Sequence, residues 1–222
     1  MWSGWYSNHI AQKFKFVALI STRTALSISI YIFYCAQRIA SVTPIFKKGK
    51  PCGVSNYRPI SPTSVCCIVM ESIVKDELLT YLIFKRLISR RQHGFLSCRS
   101  IGTQLIGCLN DWTLNIENKK SLDIIYIDFA KAFDSVVHTK LISKLVSYGI
   151  SGCFLRWIEH FLTYRYQYVS VSGTKSSSIR VISGVPLGSI LGPILFSIYI
   201  NNVCDIIVGN TACKLFADDI KV

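Results

Sequence analysis

Two adjacent carboxylates, Asp218 and Asp219, stand between the apolar, strand-like flanks Leu215-Phe216 and Ile220-Lys221-Val222. Consecutive side chains of a strand point to opposite faces, so these two acids share an outlook only where the strand turns. A tight hairpin tip bearing two acids near a core is costly, because like charges repel and a buried carboxylate loses hydration. Divalent cations remove that cost, and hard oxygen donors of this kind suit Mg²⁺ or Mn²⁺. Taken alone, the pair reads more readily as a solvated Asp-Asp turn than as a metal site. A second group of acids upstream shifts the balance.

That group is the run from Asp123 to Asp134, about 90 residues before the pair. Ile124, Ile125, Tyr126 and Ile127 are continuously apolar and read as a central strand buried on both faces, with Asp128 at its C-terminal end. From Asp134 the period becomes helical through Val137, Leu141, Leu145 and Tyr148, and Gly149 is a natural stop. Asp134 reads as the N-cap of that helix rather than as a ligand. Asp128 closes an apolar strand with no base adjacent in sequence, so it needs a partner. A strand-end Asp with a hairpin Asp-Asp makes a three-carboxylate site able to hold two divalent ions. Such a site activates an attacking hydroxyl and neutralises phosphate charge in an in-line displacement.

The segments Tyr126 to Asp134 (YIDFAKAFD) and Phe216 to Asp219 (FADD) resemble motifs A and C of reverse transcriptases. More narrowly, they are similar to polymerases of non-LTR, LINE-type retrotransposons of the jockey-like group. Thr43 to Gly49 (TPIFKKG) and Ser55 to Ser61 (SNYRPIS) resemble the finger motifs, and Gln92 to Phe95 (QHGF) with Arg99-Ser100 the next block. Ser183 to Pro193 (SGVPLGSILGP) resembles motif B, a Gly-rich loop entering a helix that continues through Ile198 to Asn201.

The resemblance implies an α+β fold: a right-hand palm with fingers, a small antiparallel sheet with packed helices, and no thumb. It implies poorly matched sequence over residues 1–40 and fingers and palm, incomplete at the C-terminus, over 41–222. The implied activity is RNA-directed DNA synthesis, joining a dNTP to a primer 3′-hydroxyl on an RNA template with two Mg²⁺ or Mn²⁺ ions. Asp128 and Asp218 would hold both ions, Asp219 would be a weaker partner, and the Phe129 carbonyl would complete the set. Arg58 and one of Lys47 or Lys48 would neutralise the triphosphate, a task suited to the planar guanidinium. Phe133 would lie beneath the sugar and collide with a 2′-hydroxyl; read without the motif, it is equally a core aromatic. The loop through Gly184, Pro186 and Gly188 would let the backbone approach the nascent base pair.

Some residues depart from the pattern. Leu187 stands where the family has a Gln, Leu96 replaces a basic residue, and Cys98 replaces a glycine. Asn202 replaces an acid, Pro62 replaces a Leu, and the sequence given stops three residues after Asp219. These departures keep a second reading in view, a catalytically dead remnant that at most binds nucleic acid. A third, a membrane-associated protein, is opposed by the ordered motifs.

Charge agrees with a polyanionic partner: 25 Lys plus Arg against 12 Asp plus Glu give a formal +13. Lys and Arg displace counterions from phosphates. Lys47-Lys48-Lys50, Lys85-Arg86 and Arg90-Arg91 carry much of the excess. The nine cysteines show no zinc-like spacing, Cys66-Cys67 read as core, and scattered free thiols point to an intracellular, reducing compartment rather than secretion. The longest apolar and small-polar stretch near the N-terminus, Thr24 to Ala36, is about thirteen residues. That is short of the roughly twenty needed to span a bilayer. A signal peptide would have its charges, Lys13 and Lys15, unusually late.

Three further elements are expected. Cys66 to Leu82 reads as an amphipathic helix with Glu71, Lys75, Asp76 and Glu77 along one side. Phe154 to Leu162 reads as a helix packing on the one after Asp134. Tyr166 to Ile182 reads as a hairpin about Gly173-Thr174.

Overall fold

The computed structural model describes residues 39–207 and 212–222. The apolar N-terminal stretch lies outside them, and the boundary drawn at residue 40 falls at their edge. In chain order the elements begin with β1 (Ile39–Phe46), a 3-10 turn (Val54–Asn56), β2 (Tyr57–Ile60), α1 (Val65–Phe84), α2 (Ile101–Glu117) and β3 (Tyr126–Asp128). Then come α3 (His138–Ser147), α4 (Gly152–Leu162), β4 (Tyr166–Val171), β5 (Thr174–Lys175) and β6 (Ile179–Arg180). Last are α5 (Gly192–Tyr199), α6 (Val203–Ile206), β7 (Lys214–Phe216) and β8 (Asp219–Lys221). No helix among the described residues is long and apolar enough to cross a membrane.

The chain divides into two compact units. The first holds residues up to Glu77, Thr163–Val181 and Leu187–Ile190. Its sheet runs β2-β1-β4-β5, with β6 also on β4. β1 is antiparallel to β2 from Thr43↔Ile60 to Phe46↔Tyr57 and parallel to β4 from Ile39↔Tyr166. The turn joining β4 to β5 is Ser172-Gly173, both with positive φ. That is the backbone a two-residue hairpin turn demands, so the expected hairpin is present with its turn one residue earlier. The Lys47–Gly53 loop is pinned by Asn56, whose carbonyl accepts from the Lys47 N–H at 2.8 Å and whose Nδ2 donates to the Lys50 carbonyl at 2.8 Å.

The long helix expected from Cys66 is present, but Glu71 is not on a solvent face. It is wholly buried, and its Oε2 accepts from the Ile190 N–H at 2.7 Å. Its charge supports the Arg165 guanidinium, which burial alone pulls toward deprotonation. A buried carboxylate with a cationic and an N–H partner is the arrangement in which such a charge is tolerated.

The second unit holds 78–162, 182–186 and 191–222. Its core holds Leu141 and Leu145 on α3, where the helical period placed them, together with Ile158, Phe161 and Leu162 on α4 and Leu195, Phe196 and Ile198 on α5, all buried. Spacing of three and four residues puts such side chains on one helical face. α3 packs against α4, as expected, and against α5. Gly149, with φ +84, ends α3 as anticipated: its N–H donates to the Val146 carbonyl and that of Ile150 to Leu145. Helix α2 opens with a capping box in which Ser100 and Thr103 each accept the other's backbone N–H.

Three expectations are corrected here. The strand read as central is the edge of a three-stranded sheet, β3-β8-β7, with Ile125 57% and Tyr126 64% exposed. Asp134 is no N-cap, because the left-handed Lys131 opens a turn and helix α3 begins only after Val137. The thiols are not all free, since Cys204 and Cys213 are disulfide-bonded. Cys67 is buried, in keeping with its reading as a core residue.

Candidate active site

All three acids lie on the small sheet of the second unit. β7 and β8 form a hairpin closed by Phe216↔Asp219, with Ala217-Asp218 as its tip. The neighbouring ladder pairs Tyr126↔Lys221, Ile127↔Ile220 and Asp128↔Asp219. The register therefore sets the last residue of β3 directly across from the first residue of β8, beside the tip. Buried Leu215 and Ile220 fix this pairing, because a slip by one residue would turn them to solvent.

The carboxyl of Asp218 is pushed above the usual carboxylate range, first by burial and further by the charges of Asp219 and Asp128. A hydrogen bond within its own residue opposes the shift. Asp128 and Asp219 are exposed. The three thus lie within electrostatic reach of one another. They are not closed into a cage: among the described residues no three His, Cys, Asp or Glu side chains are grouped to hold a metal ion. The donor chemistry, carboxylates with backbone carbonyls such as that of Phe129, is the hard-oxygen set that Mg²⁺ and Mn²⁺ take.

A raised carboxyl makes the folded chain hold more protons than the unfolded one between the ordinary and the raised pKa. Stability therefore falls as pH rises through that interval. In chelator, Asp218→Asn is expected to flatten this part of the stability–pH curve, as read by urea unfolding across the mildly acidic range. An unchanged slope would contradict the shift.

Residues remote in sequence hold the hairpin. The Leu215 N–H donates to the Arg91 carbonyl at 2.9 Å and the His93 N–H to the Leu215 carbonyl at 2.8 Å, a parallel bridge beside β7. Lys214 pairs with Asp111 of α2 at 2.6 Å, and Lys221 Nζ donates to Gln104 Oε1 at 3.3 Å. Gln92 Oε1 accepts from the N–H groups of Gly94 at 2.7 Å and Ala217 at 3.2 Å. Sequence reading placed Gln92 in a motif but missed this role; the Gln-His-Gly run was its only signal.

The segment after Asp128 carries the Gly-rich loop. The Gly184 N–H donates to the Val136 carbonyl and that of Val185 to Phe133, both at 2.8 Å, while Ser183 Oγ donates to the Asp134 carbonyl at 2.9 Å. His138 Nε2 lies 2.8 Å from the Gly184 carbonyl. Because a carbonyl only accepts, that nitrogen carries the proton. Gly184 has φ +88, and a Cβ there would meet the Asp134 Cα at 2.9 Å. The glycine serves a close approach of the protein to itself. Gly188 does the same, since a Cβ would meet the Ser61 carbonyl oxygen at 2.6 Å. Phe133 stacks on Phe196 at 4.7 Å, with Phe95 edge-on at 6.3 Å. Pro186 is half-buried between these glycines, and the Leu187 carbonyl accepts from Ser61 N–H at 2.9 Å. Lys47, Lys48 and Arg58 belong to the first unit and are exposed, with Arg58 across from Ile45 in the β1–β2 ladder.

Comparison with known proteins agrees with this arrangement. Residues 45–222 match the family "Reverse transcriptase (RNA-dependent DNA polymerase)". The RNA-directed DNA polymerase from mobile element jockey of Drosophila melanogaster is 31% identical over 218 residues, covering 95% of this chain and 23% of that protein. Its counterpart in Drosophila funebris is 32% identical over 194 residues, covering 84% of this chain and 21% of that protein. The chain thus spans less than a quarter of the length of these relatives. An apo telomerase from Candida tropicalis, truncated from its C-terminal domain, aligns with a TM-score of 0.61 and 14% identity. That alignment covers 83% of this chain and 43% of the telomerase, and the likeness is one of fold. The α+β right-hand fold and the jockey-like, non-LTR resemblance read from the motifs are borne out. With a matched region running from the β1 strand through the Asp218-Asp219 hairpin, the chain belongs to the reverse transcriptase (RNA-dependent DNA polymerase) family.

Proposed function

We propose that residues 41–222 form the fingers and palm of an RNA-directed DNA polymerase, which extends a DNA primer on an RNA template from dNTPs. The observation that carries this is the register setting Asp128 across from Asp219 beside the tip residue Asp218, whose carboxyl both charges push upward. Two Mg²⁺ or Mn²⁺ ions, held by Asp128, Asp218, Asp219 and the Phe129 carbonyl, would supply hydroxyl activation and charge neutralisation when bound. Lys47, Lys48 and Arg58 offer positive charge to the triphosphate. Phe133, fixed by its stack on Phe196, blocks a 2′-hydroxyl from the sugar site. Gly184, Pro186 and Gly188 shape the loop beside it. The +13 charge supplies affinity for template and primer. Such a polymerase works inside the cell, where RNA and dNTPs are found.

Leu187 supports the second reading, a remnant that grips nucleic acid without synthesis, because an apolar side chain cannot supply an amide's hydrogen bonds. Single-nucleotide incorporation opposite an RNA template separates the two. Metal-dependent incorporation supports the polymerase. No incorporation, with RNA–DNA hybrid binding that weakens steeply in salt, supports the remnant. In the polymerase, Phe133→Val is expected to lower the preference for dNTP over rNTP by about tenfold or more, on the scale of shape discrimination in apolar pockets. Unchanged discrimination would remove Phe133 from the sugar site.

A further inference from the structure

We propose that Gln92 is the positioning residue that aims Asp218, an assignment resting on the polymerase reading above. Ala217, the residue before Asp218, is left-handed with φ 55, a position hairpins usually give to glycine. A strained residue persists only where its surroundings over-determine it. Among those surroundings, the side chain that bonds the Ala217 N–H is a buried amide. Gln92 is 1% exposed, and its Oε1 accepts from both the Ala217 and the Gly94 N–H. Both partners are donors, so only the amide oxygen can face them. The Nε2 of Gln92 is buried with no hydrogen-bond partner among the described residues, where the amide bonds through its oxygen.

Two features fix the amide in turn. A Cβ on Gly94 would collide with the Ala217 backbone nitrogen, so glycine is what lets this turn approach the hairpin tip. The Arg99 guanidinium donates to the carbonyls of Ser89, Arg90 and Gln92, clamping the segment that carries Gln92. The chain of contact runs from Arg99 through Gln92 to Ala217 and so to Asp218. It touches no substrate; it acts through the hairpin backbone.

The test is Mn²⁺ binding to the 222-residue chain, with free ion read by electron paramagnetic resonance, so that no turnover is needed. The variants are Gln92→Met, which keeps bulk without the amide acceptor, and Gly94→Ala, whose Cβ would press on both the Ala217 nitrogen and Gln92 Oε1 while keeping the amide in the sequence. Leu145→Ala serves as a destabilised core control and Asp218→Asn as a ligand control, all below their melting temperatures. Gln92→Met and Gly94→Ala are expected to weaken Mn²⁺ binding by about 10- to 100-fold, the range for partners that orient metal ligands. Leu145→Ala should bind as the native chain does. If Gln92→Met does not fold, Gly94→Ala carries the comparison. Native-like binding by both hairpin variants, with Asp218→Asn impaired, would overturn the role of Gln92 and leave the polymerase reading standing. Native-like binding by Asp218→Asn would overturn both.

Discussion

Replacing Asp128 by asparagine is expected to reduce RNA-templated primer extension by about a thousandfold or more, with little change in the thermal midpoint. Asp128 is exposed at the end of an edge strand, so its side chain contributes little packing. Its charge, however, is opposite Asp219 in register and is one of two that raise the Asp218 carboxyl. A metal site acting on a phosphoryl oxygen is worth several kcal/mol of transition-state stabilisation, and each 1.36 kcal/mol is tenfold in rate. Losing one of three carboxylates therefore reaches the rate far more than the fold. The same substitution removes a repulsion, so Asp218 should titrate closer to the ordinary carboxylate range, a shift visible by carboxyl carbon NMR. Extension within tenfold of native would contradict a ligand role for Asp128.

Gly184→Val is expected to be the most damaging single change to the fold near the site, at about 2–6 kcal/mol. Two costs combine: a β-branched residue at φ +88, at about 1–3 kcal/mol, and forced overpacking, at about 1–3 kcal/mol. The new Cβ would meet backbone atoms of Phe133 and Asp134, which cannot swing aside as a side chain could. Three hydrogen bonds joining residues 183–185 to residues 133–136 would be strained together, along with the His138 contact to the Gly184 carbonyl. Urea unfolding measures the loss. A change under about 1 kcal/mol, within reach of ordinary surface substitutions, would show that the loop relaxes elsewhere.

Much of this was legible in the sequence, for identifiable reasons. The Leu141-Leu145 spacing announced α3 and Gly149 its end, because helical periodicity and a left-handed stop are local properties. A turn at the acid pair was legible because two acids inside a strand pattern force one, but the tip is Ala217-Asp218 rather than Asp218-Asp219, since Asp219 already pairs with Phe216 as the first residue of β8. What escaped depends on partners distant in the chain. An apolar run such as Ile124 to Ile127 states that a strand forms, not which of its faces is covered, and β3 lies at an edge. Glu71 falls on the same side of its helix as Lys75 by periodicity, yet Ile190 and Arg165 draw it inside. Gln92 acquires its role from a backbone N–H 125 residues further on. The Cys204–Cys213 pair, nine residues apart, carries no spacing signature.

The most direct test is primer extension on an RNA template with Mg²⁺ or Mn²⁺, comparing the native chain with the Asp218→Asn, Asp219→Asn double variant. Metal-dependent extension by the native chain and none by the variant is the expected result. Extension that survives loss of both hairpin carboxylates would contradict the assignment of the site.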